Sequence, residues 1–309
     1  MKHKRLRFRF FFSHVLLAAL VLITLFAAKA RPTVRAPWSM LVGLALIELL
    51  FLLKHFRSSK KDLPGGGVYD IMIFVWALLI VWELATSVFN LAHPVLFPAP
   101  DNVVDSFRAQ WREMLLNIRY SLSLLFVGFF TGMIAAVLLG LVAGWIPRLR
   151  EFFYPIANVL APIPPVVFYP FLVAIMPSFR SASVLVVILG VFWPAFLTTV
   201  NRVSAIEPQI MDNVRMLKLP DTCVIFEVLL PYALPGVVGG LKVSLTTSVL
   251  MLNFAELMGA THGMGYYIQN SITYANYTHA VAGIICIGLV VTALSKLVAL
   301  LQRKLIYWK

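Results

Sequence analysis

The chain has 309 residues, of which 61% are hydrophobic and only 13% charged, with a formal net charge of +13. So little charge cannot cover a water-exposed domain of this length, and apolar runs of about 18 residues or more put the chain in a bilayer. Strand-like alternation is missing, which favours a helical bundle over a barrel, and the basic excess lies beside the apolar runs, which speaks for membrane topology rather than nucleic-acid binding.

About eight spans are predicted: Phe11–Ala28, Trp38–Leu53, Ile71–Phe89, Ser121–Ile146, Phe153–Ile175, Ser183–Val200, Pro235–Met258 and Ala280–Leu301. The first follows the basic segment MKHKRLRFRF and ends at Ala28-Lys29-Ala30, which resembles a signal-peptide cleavage site. The run is long for a signal sequence and Lys29 interrupts the site, so it is read as a retained span. Residues 1–62 then form a two-span extension, closed by the helix-breaking Pro64-Gly65-Gly66-Gly67. Residues 63–309 form a core of about six spans.

Between the third and fourth spans, His93 to Arg119 is an outer loop with Pro94, Pro98 and Pro100, followed by a helix with Asp101 or Asp105 near its start. Span five contains Pro162, Pro164, Pro165 and Pro170. Proline removes an amide donor and clashes with the preceding turn, so this span is broken or kinked. Freed carbonyls in a bilayer must be buried in protein or face water, which makes Pro164 and Pro165 pathway candidates beside the plainer reading of a packing kink. Cys223 and Cys286 fall in a loop and a span, so no disulfide is expected.

Lys2 to Arg9, Lys54 to Lys61, Arg148 and Arg150, Arg202 to Lys218, and Lys296 to Lys309 fall on one side of this map. By the positive-inside rule that side is the cytoplasm, which places both termini there. The cytoplasmic segment 202–227 is unusual for a membrane loop. Ile210, Val214 and Leu217 recur at helical spacing, with Met211 beside them and Asp212, Asn213, Arg215 and Lys218 on the other sides. Pro220 stops this short helix and Asp221 is a candidate N-cap for the next. A helix this short needs a membrane surface or a partner groove to hold it.

Downstream run Leu230-Pro231-Tyr232-Ala233-Leu234-Pro235-Gly236 and Ala255-Glu256-Leu257-Met258-Gly259-Ala260, then Gly263-Met264-Gly265-Tyr266; upstream stand Ile163-Pro164-Pro165 and Phe192-Trp193-Pro194. In this order and spacing the stretch from about 95 to 305 resembles the permease subunits of binding-protein-dependent ABC importers, in their nitrate/sulfonate/taurine/bicarbonate branch. The resemblance implies an all-α, type I importer-like permease in a bacterial or archaeal plasma (inner) membrane. It implies two partner ATPase subunits carrying ATP and Mg, a second permease chain (the same or a sister), and an external substrate-binding protein. It also implies a cytoplasmic coupling loop, here Asp212, Asn213, Val214, Arg215, Leu217 and Lys218, that docks on the ATPase. The chain departs from the family's Glu-Ala-Ala-x-x-x-Gly loop, with Asp212-Asn213-Val214 and with Lys218 at the glycine. Lysine resists positive φ, so the turn differs, the ATPase cleft is acidic, or this chain is the weaker coupling half of a heterodimer.

Ionisable residues inside spans are expensive and default to functional candidates. Glu48 and Glu83 are placed near span ends, within reach of headgroups. Glu256 is assigned a structural or gating role, as the family also carries Glu there. Lys242, about two turns into its span, either snorkels or attracts an anionic substrate. His262 and His279 flank an outer loop, Thr261 to Thr278. No phosphate-binding G-x-x-x-x-G-K-[ST], H-E-x-x-H, G-x-S-x-G or Cys/His cluster occurs, so no cofactor or metal is expected on this chain. Two other readings remain: a non-transporting regulatory or assembly subunit derived from a permease, and a membrane enzyme using Glu83 or Glu256 as acid/base.

Overall fold

The computed structural model describes residues 2–27, 37–58, 67–91 and 93–305. Ala28-Lys29-Ala30 and the expected division at 62/63, with Pro64, Gly65 and Gly66, lie outside the described residues. Among the described residues every regular element is helical. The chain runs through α1 (Lys2–Phe26), α2 (Trp38–Ser58), α3 (Gly67–Glu83) with a π turn at Leu84–Val88, and α4 (Pro100–Trp145). It continues through α5 (Pro147–Leu160), a 3-10 turn (Pro165–Phe168), α6 (Tyr169–Ile175) and α7 (Phe179–Ser204). The last elements are α8 (Pro208–Met216), the single turn α9 (Asp221–Cys223), a π turn at Val224–Leu229, α10 (Leu230–Leu257), α11 (Met264–Thr273) and α12 (Tyr277–Leu305).

Among the described residues seven helices are long and apolar enough to cross a bilayer, and there is an eighth crossing only if α5 and α6 are taken as one span bent by 83°. The span Phe153–Ile175, expected to be broken or kinked, is indeed two short helices. Pro162, Pro164 and Pro165 leave the backbone without consecutive amide donors at the corner. Tyr169 fixes the second half: it is fully buried, 3.2 Å from the Ser183 hydroxyl on α7. Two expectations change. The helix after Pro98 is not separate from the fourth span, since α4 runs unbroken for 46 residues. At 1.5 Å per residue that is about 69 Å, over twice the hydrocarbon thickness. The outer loop 261–278 contains α11, whose polar composition hid a half-buried helix.

The backbone clusters into two compact units, Met1–Met114 with Asn270–Ile284, and Leu115–Gln269 with Ile285–Lys309. In the first, α1 packs on α3 around Leu20, Met40, Leu44, Phe51, Tyr69 and Trp76. Polar pins join its helices: Arg9 to Asp70 at 2.8 Å, His14 Nε2 to Glu48 at 2.9 Å, and His55 Nδ1 to the Tyr69 hydroxyl at 2.9 Å. The expectation that Glu48 and Glu83 reach headgroups from span ends fails. Glu48 lies near the middle of α2 and is held by His14, while Glu83 ends α3 but is fully buried.

In the second unit α7 and α10 form the main helix pair. On α4, Gly128, Gly132, Ala136, Gly140 and Gly144 recur every fourth residue and so share one face. A Cβ at Gly128 would sit 2.7 Å from Val187, at Gly132 2.9 Å from the Ile188 carbonyl oxygen, at Gly140 2.8 Å from Thr199 and at Gly144 2.8 Å from Val203. The backbones of α4 and α7 therefore run in close contact over several turns, the packing that small residues permit in a membrane.

Candidate functional site

The cytoplasmic-loop residues fold as α8, with Pro208 at its first position, where a missing amide hydrogen costs nothing. Its apolar face divides. Ile210, Met211 and Val214 pack with Leu141 of α4, Val203 of α7, and Val224, Leu229 and Ala233. Met216 and Leu217, by contrast, are 79% and 69% exposed. Val214, expected among the docking residues, is thus used to seat α8 on its own chain. The exposed set is Asp212, Asn213, Arg215, Met216, Leu217 and Lys218, with a loose Asp212–Arg215 pair at 3.5 Å.

The helix also ends earlier than expected. The amide of Leu217 bonds to the Asn213 carbonyl at 3.0 Å, and Lys218 then turns to φ 49°, so a left-handed residue ends α8 before Pro220 is reached. Lysine therefore takes up the positive φ after all. Asp221 is not an N-cap: it is the first residue of α9 and accepts a hydrogen bond from Trp145 Nε1 at 3.0 Å. The π turn after α9 ends at Leu229, and α10 follows directly from Leu230 with Pro231 in its first turn, where a missing amide hydrogen is tolerated. Gly236 is explained by close approach, because the Arg202 side chain occupies the space of its missing Cβ.

The second cluster surrounds Glu256, which is 1% exposed at the end of α10. Its Oε1 accepts from the Ser121 hydroxyl at 2.6 Å and its Oε2 from the Gly265 amide at 2.8 Å. Ser121 Oγ in turn accepts from the Met264 amide at 2.9 Å, and Asn117 Oδ1 from the Gly263 amide at 2.8 Å. The amides of Gly263, Met264 and Gly265, which open α11, are therefore paired, with a carboxylate at the positive end of the helix. Gly263 has φ 117°, and a side chain there would collide with the Glu256 carboxylate. The Glu256 and Gly263-Met264-Gly265 motifs are thus two sides of one clasp. Asn117 and Ser121 carry no local signal in the sequence, and only the fold brings them to it.

Pro165 lies against Gly190 of α7, and its 3-10 turn also touches α10. Lys242 is exposed near the middle of α10, which begins earlier than the expected Pro235, so it is deeper than two turns into the span. Among the described residues no three His, Cys, Asp or Glu side chains are grouped to hold a metal ion.

Residues 128–307 match the family model described as the binding-protein-dependent transport system inner membrane component. The chain belongs to this family. The permease is 26% identical to the aliphatic sulfonates transport permease SsuC of Bacillus subtilis (strain 168), over 83% of this chain and 94% of that one. It is 30% identical to the nitrate import permease NrtB of Leptolyngbya laminosa, over 81% and 90%. With the taurine transport system permease TauC of Escherichia coli (strain K12) it shares 24% identity, over 82% and 95%. A chain of the inward-facing MetNI methionine ABC transporter shares the fold with a TM-score of 0.53 at 19% identity, covering 63% of the permease and 97% of that chain. The permease is a multi-pass, all-α component of a plasma-membrane transport system, and the resemblance read from the motifs is correct.

Proposed function

We propose that the permease, paired with a second permease chain, forms the pathway of an ATP-driven importer for a small anion bearing an oxyanion or sulfonate group. Both termini and α8 lie in the cytoplasm, an external binding protein delivers the cargo, and two partner ATPases carry ATP and Mg. ATPase closure passes through Asp212–Lys218 into α7 and α10, and the pathway alternates between outward and inward access by rigid-body movement. The cargo class rests on the relatives, whose names specify aliphatic sulfonates, nitrate and taurine. The observation that carries the coupling role is the exposed Met216–Leu217 tip, held rigidly from below by Ile210, Met211 and Val214. Apolar side chains displayed this way fit a partner groove.

The test is purification of the tagged permease from its native membrane, with identification of what accompanies it. Recovery of an ABC ATPase, lost in Leu217→Asp while the folded permease persists, supports the reading. Full ATPase recovery with Leu217→Asp removes the docking assignment. Val214→Asp is expected to act differently, lowering the yield of folded permease, because it places a charge in the packed seat of α8. The regulatory-subunit reading is favoured only if no ATPase is recovered where a known importer keeps its own.

A further inference from the structure

We propose that Lys242 is the cation that binds the cargo's anionic group inside the membrane, as part of a water-filled pathway wall formed by one face of α10. This rests on the reading of the chain as a transport subunit. Lys242 lies too far from either end of α10 for its stem to reach headgroups easily, yet its side chain is exposed. Among the described residues no acid pairs with it, and the other charge on α10, Glu256, is committed to Ser121 and Gly265. An unpaired ammonium is expensive in hydrocarbon, so this face does not meet lipid.

Its neighbours agree. Gly239, Thr246 and Thr247 share the open side with Lys242, with Val243 and Leu250 between them, and a Cβ at Gly239 would meet nothing within 4 Å. The threonine hydroxyls donate back to the helix, Thr246 to the Lys242 carbonyl at 2.9 Å and Thr247 to that of Val243 at 3.0 Å. Their protons are spent, which leaves the ammonium as the charged side-chain donor between Gly239 and Leu250. A cation with low-dielectric walls concentrates anions and repels cations.

The test needs no identified cargo. Cys223 and Cys286 are replaced by serine, and Gly239→Cys and Thr246→Cys are introduced singly into the full complex in native membranes. Each is labelled with sulfonatoethyl methanethiosulfonate, itself an organic sulfonate, and with its trimethylammonium counterpart, with rates normalised to a free thiol. The expected anion-to-cation rate ratio is about tenfold higher with Lys242 or Lys242→Arg than with Lys242→Gln. A ratio unmoved by Lys242→Gln overturns the proposal, as does failure of both reagents to reach either cysteine. Absence of an ATPase from the pull-down of the unsubstituted permease counts against the transport reading instead.

Discussion

Lys218 occupies φ 49°, where an L-residue costs about 1–2 kcal/mol relative to a right-handed one. Glycine removes that cost but adds about 0.4–1 kcal/mol of unfolded-chain entropy. Lys218→Gly is therefore expected to raise the stability of the folded permease by about 0–1.6 kcal/mol and to keep ATPase recruitment, as read by thermal unfolding and pull-down. Loss of stability would mean that the ammonium, rather than the backbone, holds the turn. Glu256 is a sharper case. Glu256→Ala leaves the Gly265 amide and the Ser121 hydroxyl without their acceptor in a buried site, at about 1–3 kcal/mol per group. Glu256→Gln keeps the shape and one carbonyl acceptor, so it is expected to lose about half as much. Thermal unfolding in detergent orders the three proteins as wild type, Gln, Ala, and an Ala variant as stable as wild type would remove the clasp. Glu256 could be singled out in the sequence because a carboxylate in an apolar run demands a reason. Its partners could not, since Ser121 and Asn117 lie more than a hundred residues away.

At the scale of elements, the α4–α7 contact gives the cleanest comparison. At Gly132 an added methyl meets the backbone of Ile188, which cannot rotate away, whereas at Gly288 it meets nothing. Gly132→Ala is expected to destabilise by about 1–3 kcal/mol through overpacking. Gly288→Ala, in a helix interior, is expected to be neutral or stabilising by up to about 1 kcal/mol. Equal effects in unfolding experiments would refute close α4–α7 packing. The spans were legible because a bilayer demands about 20 apolar residues, and the corner at Pro162–Pro165 because proline acts locally. The four-residue glycine period of α4 was not read from the sequence, because its meaning depends on α7 as a partner. Likewise α11 reads as a polar loop until Gly263–Gly265 are seen joined to Asn117, Ser121 and Glu256. Half of the apolar face of α8 was assigned to a partner for the same reason: periodicity identifies a buried face without saying which surface buries it.

For the whole molecule, the N-terminal helices raise a question that the family match, confined to 128–307, does not answer. Cutting at residue 62 would remove α1 and α2 and leave α3 to stand without them. Leaving Tyr69, Met72 and Trp76 uncovered is not in itself severe, because lipid is as apolar as the helices it replaces. The polar pins decide the outcome: Asp70 would lose Arg9 and Tyr69 would lose His55. The exposed Arg9–Asp70 pair is worth at most about 1 kcal/mol, so Arg9→Ala alone is expected to be mild. The truncated chain 63–309 is expected to assemble with its ATPase at lower yield and to unfold at lower temperature, while the intact α8 still permits recruitment. An unchanged yield and melting temperature would make residues 1–62 an independent appendage. Loss of recruitment without loss of folded protein would instead make them part of the coupling apparatus, since the cut leaves α8 itself intact.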